Sequence, residues 1–281
     1  MRLDANHHDR DVVGMTYVYP VVSRRAGGVS VGINLNVNNA CNWRCIYCQV
    51  PDLKRGGPPP IDLGQLEDEL RRMLDAIVHG GFMAESVPED MRRLNDIALS
   101  GNGEPTSAPE FPEVVAIVGR LMAEFGLAGR IKVVLITNGS LLHRPYVQAG
   151  ISRLKELGGE VWFKLDRATG QGLQQVNNTE STPDKVLRNL GICARLCPTW
   201  LQTCVFALDG QPPAETEVEA YLEFLKRARA DGVPLDGVLL YGLARASTQP
   251  EAERLSRLPA EWLTELATRI GQAGLVVRVF P

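Results

Sequence analysis

The sequence predicts an α/β protein built on a mostly parallel sheet, and three observations carry that reading. From residue 31 onward, strand-like and helix-like segments alternate. The strand-like runs are short and apolar on both faces, as strands buried between two layers are. Of the 281 residues, 44% are hydrophobic and 22% charged, an ordinary globular composition with enough apolar material for a sizeable core.

The elements follow in order. VGINLNV (31–37) reads as the first strand, and the polar, Pro-rich KRGGPPP follows it. In the next helix, Leu63, Leu66, Leu70, Leu74 and Ile77 recur at helical spacing behind Asp62, a residue suited to the N-cap. Residues 80–95 are expected to be a loop or short insertion. IALSG (97–101) is a short buried strand, and 111–126 a helix stopped by Gly126. IKVVLITNG (131–139) is a β-rich run stopped by Asn-Gly, and a helix over 143–157 ends at Gly158-Gly159. EVWFKLD (160–166) is a strand. Thr182-Pro183 opens a helix with a capping residue and a proline at the first position. The remaining segments are a strand (200–210), a helix (215–232), a strand (237–244), a helix (258–274) and a final strand (275–280). Seven strands and six helices in repeated βα units demand right-handed crossovers. A doubly wound sheet and a full or partial barrel both satisfy that, and in either the ligand site lies at the C-terminal ends of the strands.

Several classes are excluded or disfavoured. No segment approaches the roughly 20 apolar residues of a membrane helix. The start, MRLDANHHDRD, lacks the apolar stretch of a secretory signal, so a cytoplasmic location is expected. Net charge is −3; the first 60 residues balance at +3 and the remainder at −6. A global polyanion-binding surface is therefore not indicated, although Arg24, Arg25, Arg44, Lys54 and Arg55 allow a local one.

Six cysteines fall in two groups. Cys41, Cys45 and Cys48 form C-x3-C-x2-C, three thiols within eight residues. A structural zinc site takes four protein ligands. Here no fourth Cys or His is nearby, the nearest histidines on either side being His8 and His79. Three ligands on a four-iron cluster leave one iron open, where a substrate or cofactor can bind. Cys193, Cys197 and Cys204 are expected to be small core residues, with a second metal site as the alternative.

Polar and Gly residues gather where the strands end. Gly101-Asn102-Gly103-Glu104 follows the second strand and Thr137-Asn138-Gly139 the third. Lys164 and Asp166, two apart, share a face of the fourth; Gln202 and Thr203 interrupt an apolar run in the fifth; Tyr241, Gly242 and Arg245 follow in the sixth. Such a set suits a cofactor pocket. Each has a plainer alternative: a βα turn with Ser107 and Glu110 as a capping box, a buried Lys164–Asp166 ion pair, a sheet-lining amide.

These motifs resemble the radical SAM superfamily: C-x3-C-x2-C after the first strand with Tyr47 before the third Cys, and GNGE after the second in place of that family's Gly-Gly-Glu. YPVVSRRAGGVSVGINL, SGNGEPT, LITNG, WFKLD, LQTCVFA and LLYGLAR further resemble its wyosine-synthase-like branch. The resemblance implies a partial (β/α)6 TIM-like barrel, with residues 1–30 as an N-terminal extension, a core over 31–281 and one extra C-terminal strand. It implies that Cys41, Cys45 and Cys48 each bind one iron of a 4Fe–4S cluster, with S-adenosyl-L-methionine (SAM) on the fourth. Gly101, Asn102, Gly103 and Glu104 would border the methionine amino group, with Glu104 near the ammonium. Tyr47 would lie against the adenine, flanked by Tyr241 and Leu243, and Asn138, Lys164, Asp166 and Gln202 would line the ribose and carboxylate side.

The implied activity is reductive cleavage of SAM to a 5′-deoxyadenosyl radical, fed by an external electron donor of flavodoxin or ferredoxin type. The alternative is a non-catalytic zinc or iron–sulfur module. Residues 1–40 hold no cysteine for the second cluster of wyosine synthases, and no cysteine follows Cys204. The latter argues against peptide-modifying members with C-terminal auxiliary clusters; with the former, a pI of about 5.9 does not favour a polyanion, and a small-molecule or protein substrate is expected over tRNA. Wyosine-like tRNA modification and glycyl-radical activation are the alternatives within the enzyme reading.

Overall fold

The computed structural model of the chain describes residues 14–23 and 27–281. His8, Arg24, Arg25 and much of the expected N-terminal extension lie outside the described residues. In chain order the elements are β1 (Val18–Ser23), β2 (Gly28–Ile33), β3 (Ala40–Cys41), β4 (Lys54–Arg55), α1 (Leu63–Val78), α2 (Phe82–Ser86) and β5 (Leu94–Leu99). Then come α3 (Phe111–Glu124), β6 (Lys132–Thr137), α4 (Pro145–Glu156), β7 (Glu160–Lys164), α5 (Gly170–Asn177), α6 (Pro183–Leu196), β8 (Thr199–Cys204) and β9 (Ala207–Leu208). The chain closes with α7 (Glu215–Ala230), β10 (Gly237–Tyr241), β11 (Leu255–Ser256), α8 (Ala260–Gln272) and β12 (Val277–Phe280).

The main sheet has eight strands in the order β1-β2-β5-β6-β7-β8-β10-β12. Seven run parallel, as the repeated βα pattern required, and β1 is antiparallel to β2 at one edge. The two edge strands share no ladder among the described residues, so the sheet curls into a partial barrel of the expected kind. Helices α1, α3, α4, α6, α7 and α8 pack successively around its outside. The large apolar core lies between them and the sheet, with Leu70, Leu99, Phe111, Leu135 and Phe163 essentially inaccessible. Among the described residues no helix is long and apolar enough to cross a membrane.

Local chemistry explains most boundaries. The Asp62 side chain caps α1 by accepting from Gln65 N at 2.9 Å, and Thr182 caps α6 with Pro183 at its first position. The capping box expected of Ser107 and Glu110 does not form. Ser107 Oγ instead donates to the carbonyl of Glu104 at 2.5 Å, and Glu110 makes no side-chain cap bond to α3. A short 3-10 turn at Pro105–Ser107 has claimed that hydroxyl first. Strand β1 lies within the segment expected to be an extension. Its register is held by Glu69 of α1, whose buried carboxylate accepts the backbone N–H groups of Thr16, Tyr17 and Val18. Residues 80–95, expected as a loop or short insertion, carry the one-turn α2. Helix α5 was not expected: Gly170 and Gly172 sit in its first turn, where glycine disfavours helix. The Thr169 cap and the left-handed Asn178 (φ 49°) define it instead.

Candidate active site

The cysteine loop is folded by asparagines. At the end of β2, Asn34 Oδ1 accepts from Asn36 N (3.1 Å) and Asn102 N (2.9 Å), and Asn36 Nδ2 donates to the Ala40 carbonyl (2.8 Å). Asn39, in the left-handed region at φ 57°, turns the chain into β3. The β3–β4 pairing closes the loop, and its final turn brings Cys48 N to the Cys45 carbonyl at 3.0 Å.

Two further segments grip this loop. Residues 176–178 at the end of α5 accept Arg44 N and Ile46 N on their carbonyls, at 3.2 and 2.9 Å, and Asn178 Nδ2 returns a bond to Arg44 O at 2.9 Å. The segment after β10 clasps the other side. Ser247 Oγ donates to Ile46 O (2.8 Å), Thr248 N to Cys48 O (3.0 Å) and Gln249 Nε2 to Val50 O (2.9 Å), while Glu251 takes Arg44 in a bidentate pair at 2.7 and 2.8 Å. Asn42, Asn177, Asn178 and Ser247–Glu251 escaped the sequence reading. Asn-Asn at a helix end and the Ser-Thr-Gln-Pro turn were the signals available.

Glu104 organises the strand-end cradle. Its buried carboxylate accepts from Thr106 N (3.2 Å), Thr106 Oγ1 (2.6 Å), Thr137 Oγ1 (2.5 Å) and Asn138 N (2.6 Å), welding the end of β5 to the end of β6. The carboxylate expected near a ligand's ammonium is thus taken up by protein donors. Burial pushes its pKa up against those hydrogen bonds. Asn138 Nδ2 reaches Asn42 Oδ1 at 2.8 Å, joining the cradle to the cysteine loop. Gly103 presses on that loop: a Cβ there would lie 2.2 Å from the Ala40 carbonyl oxygen. Gly103→Ala is expected to displace the cradle from the loop and to cost about 1–3 kcal/mol of stability in urea unfolding.

One cavity of about 1030 Å³ opens at these strand ends and extends into the barrel. Cys41, Cys45 and Cys48 line it, as do Gly101, Asn102, Gly103 and Glu104. So do Tyr47, Asn138, Lys164, Gln202, Tyr241 and Leu243. Asp166 alone of the expected set is not on its wall. Buried behind Tyr47, it accepts Tyr47 Oη (2.6 Å), Asn177 Nδ2 (2.7 Å) and Cys204 N (3.0 Å). Lys164 reaches Tyr241 Oη at 3.3 Å and stands 5.0 Å over the Tyr47 ring. Lys164 and Asp166 make no direct ion pair among the described residues, yet their charges interact. Burial alone would lower the Lys164 pKa; the charge of the nearby Asp166 carboxylate outweighs it and shifts it up.

The second cysteine group does not converge. Cys193 and Cys197 belong to the core outside the sheet, whereas Cys204 belongs to the small cluster inside with Tyr47 and Phe206. All three are buried, as the core reading has it.

The sequence model described as "Radical SAM superfamily" matches residues 35–225, from the cysteine loop into α7. The chain belongs to the radical SAM superfamily. Members of this family work with a 4Fe–4S cluster and SAM. A UPF0026 protein of Helicobacter pylori (strain J99 / ATCC 700824) is 25% identical over 222 residues, covering 78% of this chain and 65% of that one. A UPF0026 protein of Synechocystis is 26% identical, covering 94% of this chain and 96% of that protein. The chain therefore spans about 65% of the Helicobacter relative's length.

Among solved radical SAM structures, a methyltransferase from Sphaerobacter thermophilus superposes with a TM-score of 0.58 at 15% identity, covering 94% of this chain and 69% of that chain. TYW1 with a lysine–pyruvate adduct bound gives 0.57 at 17%, covering 86% and 73%. At such identities the likeness is one of fold.

The donor set fits the radical SAM cluster. Three soft sulfur donors border one cavity. Cys48 adds its charge to the environments of both Cys41 and Cys45, and burial pushes those two thiols up to about 12. Bound iron is what would draw off such protons. Among the described residues no three His, Cys, Asp or Glu converge on a single metal ion; a cluster taking one thiolate per iron asks only that they border a common space.

Proposed function

We propose that this chain holds a 4Fe–4S cluster on Cys41, Cys45 and Cys48, binds SAM across the strand ends, and uses reductive SAM cleavage to take hydrogen from a small molecule. The observation that supports it most directly is that the three thiols and the Gly101–Glu104 cradle line one cavity. Together the cluster and SAM supply one-electron cleavage of the sulfonium C5′–S bond, giving methionine and a 5′-deoxyadenosyl radical that abstracts hydrogen. The protein's own part is placement and exclusion of water. Gly101 and Gly103 let the cradle close against Asn34 and the Ala40 carbonyl, which sets the cradle beside the cysteine loop. Lys164 offers a held positive charge to the carboxylate and ribose side, with Asn138 and Gln202 as neutral partners. Tyr241 and Leu243, on the cavity wall, would flank the adenine. Asp166 acts through Tyr47, which it orients.

Surface chemistry supports a small molecule. Among the described residues the exposed large hydrophobics, Val78 and Val276, lie off the cavity wall. Two of the cations expected to suit a polyanion are committed: Arg44 to Glu251, and Arg55 to the carbonyls of Asn42 and Asn178. Wyosine-like tRNA modification, the branch that the sequence motifs resemble, is the second reading. An external flavodoxin or ferredoxin is the proposed electron donor.

The test is anaerobic reconstitution with iron and sulfide, reduction, and an assay for 5′-deoxyadenosine on adding SAM. Its slow formation is expected. A colourless zinc protein, or a four-iron protein whose reduced EPR signal ignores SAM, would leave the non-catalytic metal module standing. Salt-sensitive retention of tRNA would favour the second reading.

A further inference from the structure

We infer that Asn177, the last residue of α5, sets the reduction potential of the cluster by donating an N–H to the Cys45 sulfur. The inference rests on the cluster assignment proposed above and adds a role for a residue outside the family's motifs. Asn177 is completely buried. Its Nδ2 lies 2.7 Å from Asp166 Oδ2 and 3.2 Å from Cys45 Sγ.

The orientation of this amide follows from its neighbours. Asp166 accepts from Tyr47 Oη on Oδ2 and from Cys204 N on Oδ1, so it presents acceptors only. A reversed amide would set its carbonyl oxygen against a carboxylate oxygen. The NH₂ end therefore faces Asp166, and its second hydrogen points at the sulfur. Asn177 Oδ1 has no hydrogen-bond partner among the described residues, so nothing found there pulls the amide the other way.

The sulfur cannot drift from this donor. The residues either side of Cys45 are tied to the same helix end, Arg44 N to Asn177 O and Ile46 N to Val176 O. Cys41 Sγ is met by backbone N–H groups, that of Trp43 at 3.5 Å and that of Glu104, which no side-chain replacement removes. Asn177 is thus a place where substitution can change the electrostatics at a ligand sulfur.

Reducing the cluster adds one electron from an external donor and neither makes nor breaks a bond. The added charge is delocalised onto the sulfurs, where an aimed N–H dipole stabilises it, and hydrogen bonds to the sulfurs are a known lever on cluster potential. Low local polarity makes the dipole count for more.

The experiment is a redox titration of the reconstituted full chain, followed by the EPR signal of the reduced cluster, with iron counted in each protein. Asn177→Leu, close in size but lacking the donor, is expected to lower the reduced-to-oxidised ratio about tenfold at a given solution potential, a midpoint about 59 mV more negative. Asn177→Ala should move it the same way and serves if the leucine variant fails to hold iron. Asn178→Ala removes a bond to Arg44 O on the same loop but touches no sulfur, and should leave the midpoint in place. An unchanged midpoint in the Asn177 variants, or an equal shift in Asn178→Ala, overturns the inference. A wild-type chain that takes up no four-iron cluster overturns instead the proposed function on which it rests.

Discussion

Cys45→Ala is expected to abolish both cluster incorporation and SAM cleavage. Of the three motif thiols this one is the most firmly placed. The loop on both sides of it is bonded to the end of α5, the Ser247–Gln249 clasp holds the carbonyls of Ile46 and Cys48, and Asn177 meets the sulfur itself. A preformed loop does not re-form around two thiols. The loss of 5′-deoxyadenosine formation should exceed the 10–100-fold that removal of a supporting residue around a metal typically costs. Iron content should fall with it. Cys193→Ala, in the outer core, should keep both iron and activity and lose only packing. An iron-loaded, active Cys45→Ala protein would remove the basis for the cluster assignment.

Glu104→Ala should be the most damaging change in the cradle, and through the fold before the chemistry. It leaves Thr106, Thr137 and Asn138 with buried donors that had shared one carboxylate. At about 1–3 kcal/mol per unsatisfied buried group, the three together cost about 3–9 kcal/mol, roughly a 10 °C drop in Tm. Glu104→Gln makes the test sharper. Its oxygen can still accept from the two threonines, but its NH₂ then faces the Asn138 N–H, donor against donor. It should lose part of the stability and loosen the link from Asn138 to Asn42. Were Glu104→Ala as stable as wild type but weaker for SAM, the carboxylate would be a ligand for the ammonium, as the motif had suggested, rather than the weld between two strands.

How far the site was legible depended on what kind of residue carried it. Cys41, Cys45, Cys48 and the strand-end residues Gly101–Glu104, Asn138, Lys164, Gln202, Tyr241 and Leu243 were all picked out in sequence, and one cavity collects them. Their visibility is a consequence of repeated βα units, which send every strand's C-terminal end to the same face. Asp166 was picked out by the same rule and lies behind Tyr47, because a side chain on the inward face can bond a neighbour before it reaches the cavity. Ser107 was misassigned for a similar reason: a capping box needs its hydroxyl to accept from Glu110 N and its backbone N–H to meet the Glu110 carboxylate, but hydroxyl and N–H both donate to Glu104 O.

What the sequence by itself determined was the class and the motif-bearing residues. Alternating apolar segments with caps at Asp62 and Thr182 and stops at glycines impose βα repeats. Three closely spaced thiols without a nearby fourth ligand pointed to a metal site with an open position. What only the tertiary structure decided was the set of residues far apart in the chain that hold this site in shape: β1 on Glu69, α5 with Asn177 against Cys45, and Ser247–Glu251 over Cys48 and Arg44. Their bonds span from about fifty to over two hundred residues of sequence. A hydrogen-bond donor has no period and no spacing to betray its partner; only closure of the barrel brings the two within 3 Å or so of each other.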